Sequence, residues 1–112
     1  QRTSIARAFA VDPELLLMDE PFSGLDELTA RGMREQQLTL WQESRKTVVF
    51  VTRSCFEACF VADRILILSP RPGRVRHEIP VDLPRPRNYD SPRLFELSVE
   101  LTRLVLGAAP AA

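Results

Sequence analysis

One hundred and twelve residues make at most one domain, and a chain of that size buries only about two-thirds of the surface its unfolded form exposes. Lys and Arg balance Asp and Glu at fifteen each, so no net field draws the chain to nucleic acid or to an anionic membrane. No apolar run approaches the ~20 residues that cross a bilayer and no signal peptide is visible, so we expect membrane association only through a partner.

Lys46 is the single lysine, and arginine supplies the other positive charges. Cys55 and Cys59 could form half of a metal site, or could be small buried hydrophobes. His77 is the only histidine and no third ligand is evident, which favours the second reading. The chain opens on Gln1 inside a helical pattern, from which we expect a piece of a longer protein.

The first expected element is an alanine-rich helix over 2–10, stopped by a turn at Val11-Asp12-Pro13-Glu14. Leu15-Leu16-Leu17-Met18 then runs apolar without alternation, as does a strand covered on both faces in a parallel sheet. It ends in Asp19 and Glu20, and Pro21 can continue neither a ladder nor a helix interior. In open α/β sheets ligands bind beyond the carboxyl ends of the strands, which is where these two acids fall. Adjacent side chains diverge, so one acid can hold a hard cation while the other positions or deprotonates a water.

A helix is expected from near Asp26 to about Glu43, with a patchy apolar set of Leu25, Leu28, Met33, Leu40 and Trp41, and Gly32 weakening it. Thr47 to Thr52 is β-branched and aromatic, a second central strand. A short helix over 54–62, a strand over Arg64 to Ser69, a turn at Pro70-Arg71-Pro72-Gly73 and a strand over Arg74 to Val81 complete a hairpin. Leu83-Pro84-Arg85-Pro86-Arg87 reads as a stiff connector. Ser91 caps a last helix with Pro92 at its first position, its apolar face being Leu94, Leu97, Leu101, Leu104 and Val105. Residues 107–112 read as a frayed tail.

The stretch Leu15 to Asp26, LLLMDEPFSGLD, closely resembles the Walker B strand and D-loop of the ATPase subunits of ATP-binding-cassette (ABC) transporters. Residues 1–8 (QRTSIARA) resemble the helix after that family's signature loop, Thr47 to Ser54 (TVVFVTRS) the strand leading to its switch loop, and Glu57-Ala58 the pattern just after it. Phe60 to Arg74 (FVADRILILSPRPGR) is similar to the importers of nitrate, sulfonates and taurine. The resemblance covers nearly the whole chain, in order.

It implies an α/β chain with part of a P-loop NTPase fold: parallel core strands, then a C-terminal β-hairpin and helix. Residues 1–82 would be the C-terminal half of the nucleotide-binding domain, 83–106 a proline-rich connector and helix, and 107–112 the tail. It further implies that Asp19 helps to hold Mg²⁺, that Glu20 is the general base toward the γ-phosphate of ATP, and that Ser23 and Asp26 lie on the D-loop beside a second subunit's site. Asp26 also suits the N-cap of the following helix. Arg53 stands where the family has its switch histidine. Arginine can bind phosphate but cannot accept a proton as a neutral imidazole does.

A P-loop needs a glycine-rich backbone before Lys-Ser/Thr at a helix start. Lys46-Thr47 follows Ser44-Arg45 and opens a strand, so it is not one. We therefore expect the 112 residues alone neither to bind ATP tightly nor to hydrolyse it. The resemblance implies partners: a second ATPase subunit, a transmembrane permease and, indirectly, a periplasmic solute-binding protein, with the whole peripheral on the inner face of the cell membrane. The alternative is a catalytically degenerate cassette, marked by Arg53, that regulates or holds a permease. A DNA-repair cassette is a weaker rival, because no coiled-coil heptads are present. Arginines 64, 71, 74, 76, 85 and 87 are interleaved with acids and lack an aromatic platform, so they read as a solvated surface rather than a nucleic-acid site.

Overall fold

A computed structural model describes residues 15–44, 46–70 and 73–107. The expected helix over 2–10, the turn after it, the resemblance carried by residues 1–8 and the tail beyond Gly107 lie outside those residues. The chain divides after Arg53 into two compact units.

In the first unit, β1 (Leu15–Asp19), α1 (Glu27–Ser44) and β2 (Thr47–Val51) form a β-α-β unit in which the strands pair parallel, Leu15 opposite Thr47 and Asp19 opposite Val51. A parallel pair needs a crossover of this kind. Leu16 and Met18 of β1 are buried, and Trp41 of α1 meets Phe50 of β2 edge-on at 6.0 Å. The other sheet face is open among the described residues: Leu15, Leu17, Val49 and Val51 are all exposed, Leu17 by 71%. This corrects the expectation of a strand covered on both faces. The described residues supply a single helical layer, and strand side chains alternate faces, so only half of the apolar run is covered.

Asp26 caps α1, accepting from the Thr29 amide at 2.9 Å through one carboxylate oxygen and from the Thr29 hydroxyl at 2.8 Å through the other. These bonds, the backbone one foremost, hold its carboxyl below the ordinary aspartate value. The buried stripe of α1 is Ala30, Met33, Arg34, Gln37, Leu38 and Trp41, whereas Leu28 and Leu40 face outward. The apolar count misplaced this face because two of its members are polar. Arg34 is buried with its guanidinium 3.1 Å from Glu27, a partner that is itself largely exposed.

In the second unit, Ser54 caps α2 (Cys55–Val61) by accepting from the Glu57 amide. β3 (Arg64–Leu68) and β4 (Val75–Pro80) form the expected antiparallel hairpin, with a bulge between Ile67 and Leu68. α3 (Pro92–Val105) packs on α2 and buries Leu94, Leu101 and Leu104, with Ser91 as N-cap. Ser98 joins the buried side, while Val105, expected there, is exposed. Gly107, with φ +96°, donates its amide to Leu104 and closes the helix in the left-handed conformation that glycine adopts freely. Cys59 is fully buried and Cys55 half-buried, and both are free thiols. Desolvation pushes the Cys59 thiol up to about 11.

The connector departs from the expected solvated surface. Arg87 donates to the carbonyls of Cys59, Phe60, Ala62 and Leu83, and Arg85 donates to the Val61 carbonyl and the Asp63 carboxylate. The last four carbonyls of a helix have no partner inside it. Here two arginines from a distant segment take up three of them, those of Cys59, Phe60 and Val61, while the Ala58 carbonyl accepts from the Ala62 amide. Tyr89 stacks on Phe60 with ring centroids 4.1 Å apart, so the connector grips α2 on its end and on one side. Arg76 likewise donates to Leu104, near the end of α3. The sequence shows the charges, but the pairing of residues more than twenty positions apart is decided by the fold.

Candidate functional site at the carboxyl ends of the parallel strands

Asp19 is the last residue of β1, and Val51, opposite it, is the last of β2. The parallel pairing therefore brings both strand exits to one edge, with Asp19 and Glu20 leaving one strand and Arg53 the other. The Glu20 amide donates to the Val51 carbonyl at 2.7 Å, fastening the two tips just beyond the last ladder pair.

Glu20 has φ +45°, a left-handed conformation that a glutamate rarely adopts. Its carbonyl accepts from the Ser23 amide at 3.1 Å, and the Phe22 carbonyl from the Leu25 amide at 3.3 Å. The chain thus leaves the strand through two overlapping turns, with Gly24 at φ +86° in the second. Phe22 anchors them: it is buried, and its ring lies 6.0 Å from that of Phe50. A strained backbone at a strand tip persists only where its surroundings hold it, and such residues cluster at functional sites.

The Glu20 carboxylate lies 3.7 Å from the Arg53 guanidinium, whose side chain is 92% exposed. A pair this open contributes little to stability, and the arginine is free to turn toward an incoming anion. Asp19 is exposed on the open side of the strand pair. Ser23 is exposed on the turn, and Asp26 sits at the start of α1, committed to its capping bonds.

Asp19, Glu20 and Arg53 are therefore brought together at one edge, with Ser23 and Asp26 along the loop that leaves it. Sequence reasoning missed the Val51 carbonyl, the Phe22 anchor and the left-handed Glu20. Phe22 stands in the motif itself, but a glutamate gives no sign of positive φ.

Among the described residues no group of three or more His, Cys, Asp or Glu could hold a metal ion by itself. Mg²⁺ keeps most of its water and takes one or two carboxylates together with substrate phosphates. Asp19 offers such a carboxylate. No helix of the described residues is long and apolar enough to cross a membrane.

A scan against protein-family models finds no match. Comparison with curated proteins is more informative. The chain is 42% identical over 105 residues to an uncharacterized ABC transporter ATP-binding protein of Methanocaldococcus jannaschii, covering 94% of this chain and 39% of that protein. It is 45% identical over 92 residues to the aliphatic sulfonates import ATP-binding protein of Bacillus licheniformis, covering 82% of this chain and 36% of the other. With the taurine import ATP-binding protein of Rhizobium johnstonii the identity is 47% over 85 residues, covering 76% of this chain and 32% of the other. The chain thus spans between about a third and two-fifths of the length of these relatives. With more than three-quarters of its own residues aligned to them, the chain belongs to the ATP-binding proteins of ABC transporters.

Proposed function

We propose that the chain is the Mg²⁺-holding and water-activating part of an ATPase subunit in an ABC import system for small oxyanionic solutes of the sulfonate, taurine or nitrate kind. The observation that carries this reading is the meeting of Asp19, Glu20 and Arg53 at the exits of two parallel strands. The relatives named for sulfonate and taurine import support the solute class. The fold of the complete domain would be that of a P-loop NTPase, with residues 1–82 contributing its C-terminal half and 83–106 the connector and helix. Its partners would be a second ATPase subunit, a permease and a solute-binding protein, at the inner face of the membrane.

In this reading Asp19 would hold Mg²⁺, which would supply charge neutralisation on the phosphates. Glu20 accepts a proton from the attacking water as its oxygen bonds to the γ-phosphorus and the bond to the bridging oxygen of ADP breaks. Arg53 binds a γ-phosphate oxygen. Phosphoryl transfer depends chiefly on positioning and charge stabilisation, so the left-handed turn that aims Glu20 matters as much as its basicity. Ser23 and Asp26 would lie on the loop that meets the second subunit.

The test uses the complete protein. Mg²⁺-dependent phosphate release should fall at least about a hundredfold in Glu20→Gln while ATP binding persists. Nucleotide binding without turnover in the unmodified protein would instead support a degenerate cassette that regulates or holds a permease. Arg53 favours that second reading, since it cannot serve as a neutral acceptor. Arg53→His should raise turnover, and a flat or reduced rate would remove position 53 from the catalytic machinery.

A further inference from the structure

Trp41, Phe50 and Phe22 form a chain of rings that runs from the buried stripe of α1 to the turn carrying Glu20. The Phe50 ring is its middle link. It lies 6.0 Å from Trp41 on one side, edge-on, and 6.0 Å from Phe22 on the other, tilted by 40°. At such spacings and tilts aromatic pairs attract beyond the area they bury. Trp41 and Phe22 are buried, as is Met18, the register partner of Phe50 on β1, while Phe50 itself is half-buried.

Phe50 is followed by Val51, whose carbonyl accepts from the Glu20 amide at 2.7 Å. Two successive residues of β2 therefore hold the turn at two points. Val51 fixes the peptide nitrogen of Glu20 itself, and Phe50 fixes Phe22 two positions further on. A single hydrogen bond sets where the Glu20 amide lies but leaves the backbone free to rotate about it. The left-handed φ of +45°, which directs the carboxylate, persists only while the second point also holds.

Resting on the assignment of Glu20 as the base, we propose that Phe50 is a positioning residue for it, its ring carrying the packing of α1 and β2 into the turn that aims the carboxylate. The ring has no group that takes part in the chemistry and acts through Phe22. Asp19 is held separately, as the last ladder residue of β1, and the Arg53 side chain is 92% exposed. Removing the ring therefore misdirects the base while the residues proposed to hold Mg²⁺ and phosphate stay in place. The consequence is a loss in turnover rather than in nucleotide binding.

The test uses the complete protein. Phe50→Leu keeps an apolar side chain but removes the ring. Its kcat should fall about ten- to hundredfold, the scale of loss that a small misplacement of a reacting group brings. KM for ATP should move less than about twofold. Phe50→Tyr, which keeps the ring, should retain most of the turnover. Introduced into Glu20→Gln, Phe50→Leu should lower the residual rate no further, because no base is left to aim. Val48→Ala, a truncation two residues back on the same side of β2, should leave kcat unchanged. Independently of turnover, the Glu20 amide of the nucleotide-free protein should exchange about tenfold faster in Phe50→Leu. Turnover that survives Glu20→Gln overturns the base assignment, and the role of Phe50 with it. An inactive Glu20→Gln beside any of three results leaves the base in place and reduces Phe50 to a core residue. These are normal kcat in Phe50→Leu, an equal loss in Val48→Ala, or an unchanged Glu20 amide.

Discussion

Glu20 holds a backbone conformation that costs of order 1–3 kcal/mol for a residue with a β-carbon. The cost is offset by the Val51 carbonyl on its amide, the Ser23 amide on its carbonyl and the burial of Phe22 beside it. Glycine would remove the strain and the carboxylate together. Glu20→Gly should therefore leave stability unchanged or raise it by up to about 1 kcal/mol, the relief being partly offset by the greater freedom of the unfolded chain. The same variant should lose turnover in the complete protein. Chemical denaturation read beside phosphate release checks both, and a clear loss of stability would show that the carboxylate, not the backbone, holds the turn.

At the scale of elements, the two-turn helix α2 is fixed at both ends by side chains. Ser54 caps its start, and Arg85 and Arg87 take up the carbonyls at its end. Desolvation, and then the nearby Arg85, lowers the pKa of Arg87 from the ordinary arginine value, yet arginine keeps its charge at neutral pH. Arg87→Ala strips the partners from carbonyls contributed by Cys59, Phe60, Ala62 and Leu83 in one step. Losing a charged donor to several partly buried acceptors should cost about 2 kcal/mol or more. Amide exchange across α2 would then quicken about thirtyfold. Arg87→Lys should recover only part of this, because a single ammonium cannot span the fork that guanidinium does. Exchange unchanged in the alanine variant would mean that Tyr89 stacking alone holds the connector in place.

For the whole chain, the open face of the parallel pair and the missing phosphate cradle bear on one outcome. Lys46-Thr47 leads straight into β2 rather than into a helix start. In the proposed site phosphate would be bound by Arg53 and, by way of Mg²⁺, by Asp19. The 112 residues alone should show no micromolar affinity for Mg-ATP by titration calorimetry, and no turnover. Micromolar binding would require a phosphate site other than the one proposed.

The order and type of the elements were legible in the chain because each carries its own local signal. The unbroken apolar run, the β-branched run before Arg53 and the Ser-Pro helix start all depend on neighbours in sequence, and the structure returns them within a residue or two. The place of the two acids at the tip of β1 could be read in the same way, since the apolar run marks the strand and the proline after the carboxylates marks its end. Their companionship with Arg53 is another matter. It depends on the register that sets Asp19 opposite Val51, and only the folded pair decides that. The buried side of α1 escaped a count of apolar residues because Arg34 and Gln37 belong to it. Arg85 and Arg87 read as surface until their carbonyl partners were in view. Local hydrophobic patterning and turn chemistry are written in neighbouring residues, but long-range hydrogen bonds, strain and the covering of a face exist only between segments that folding brings together.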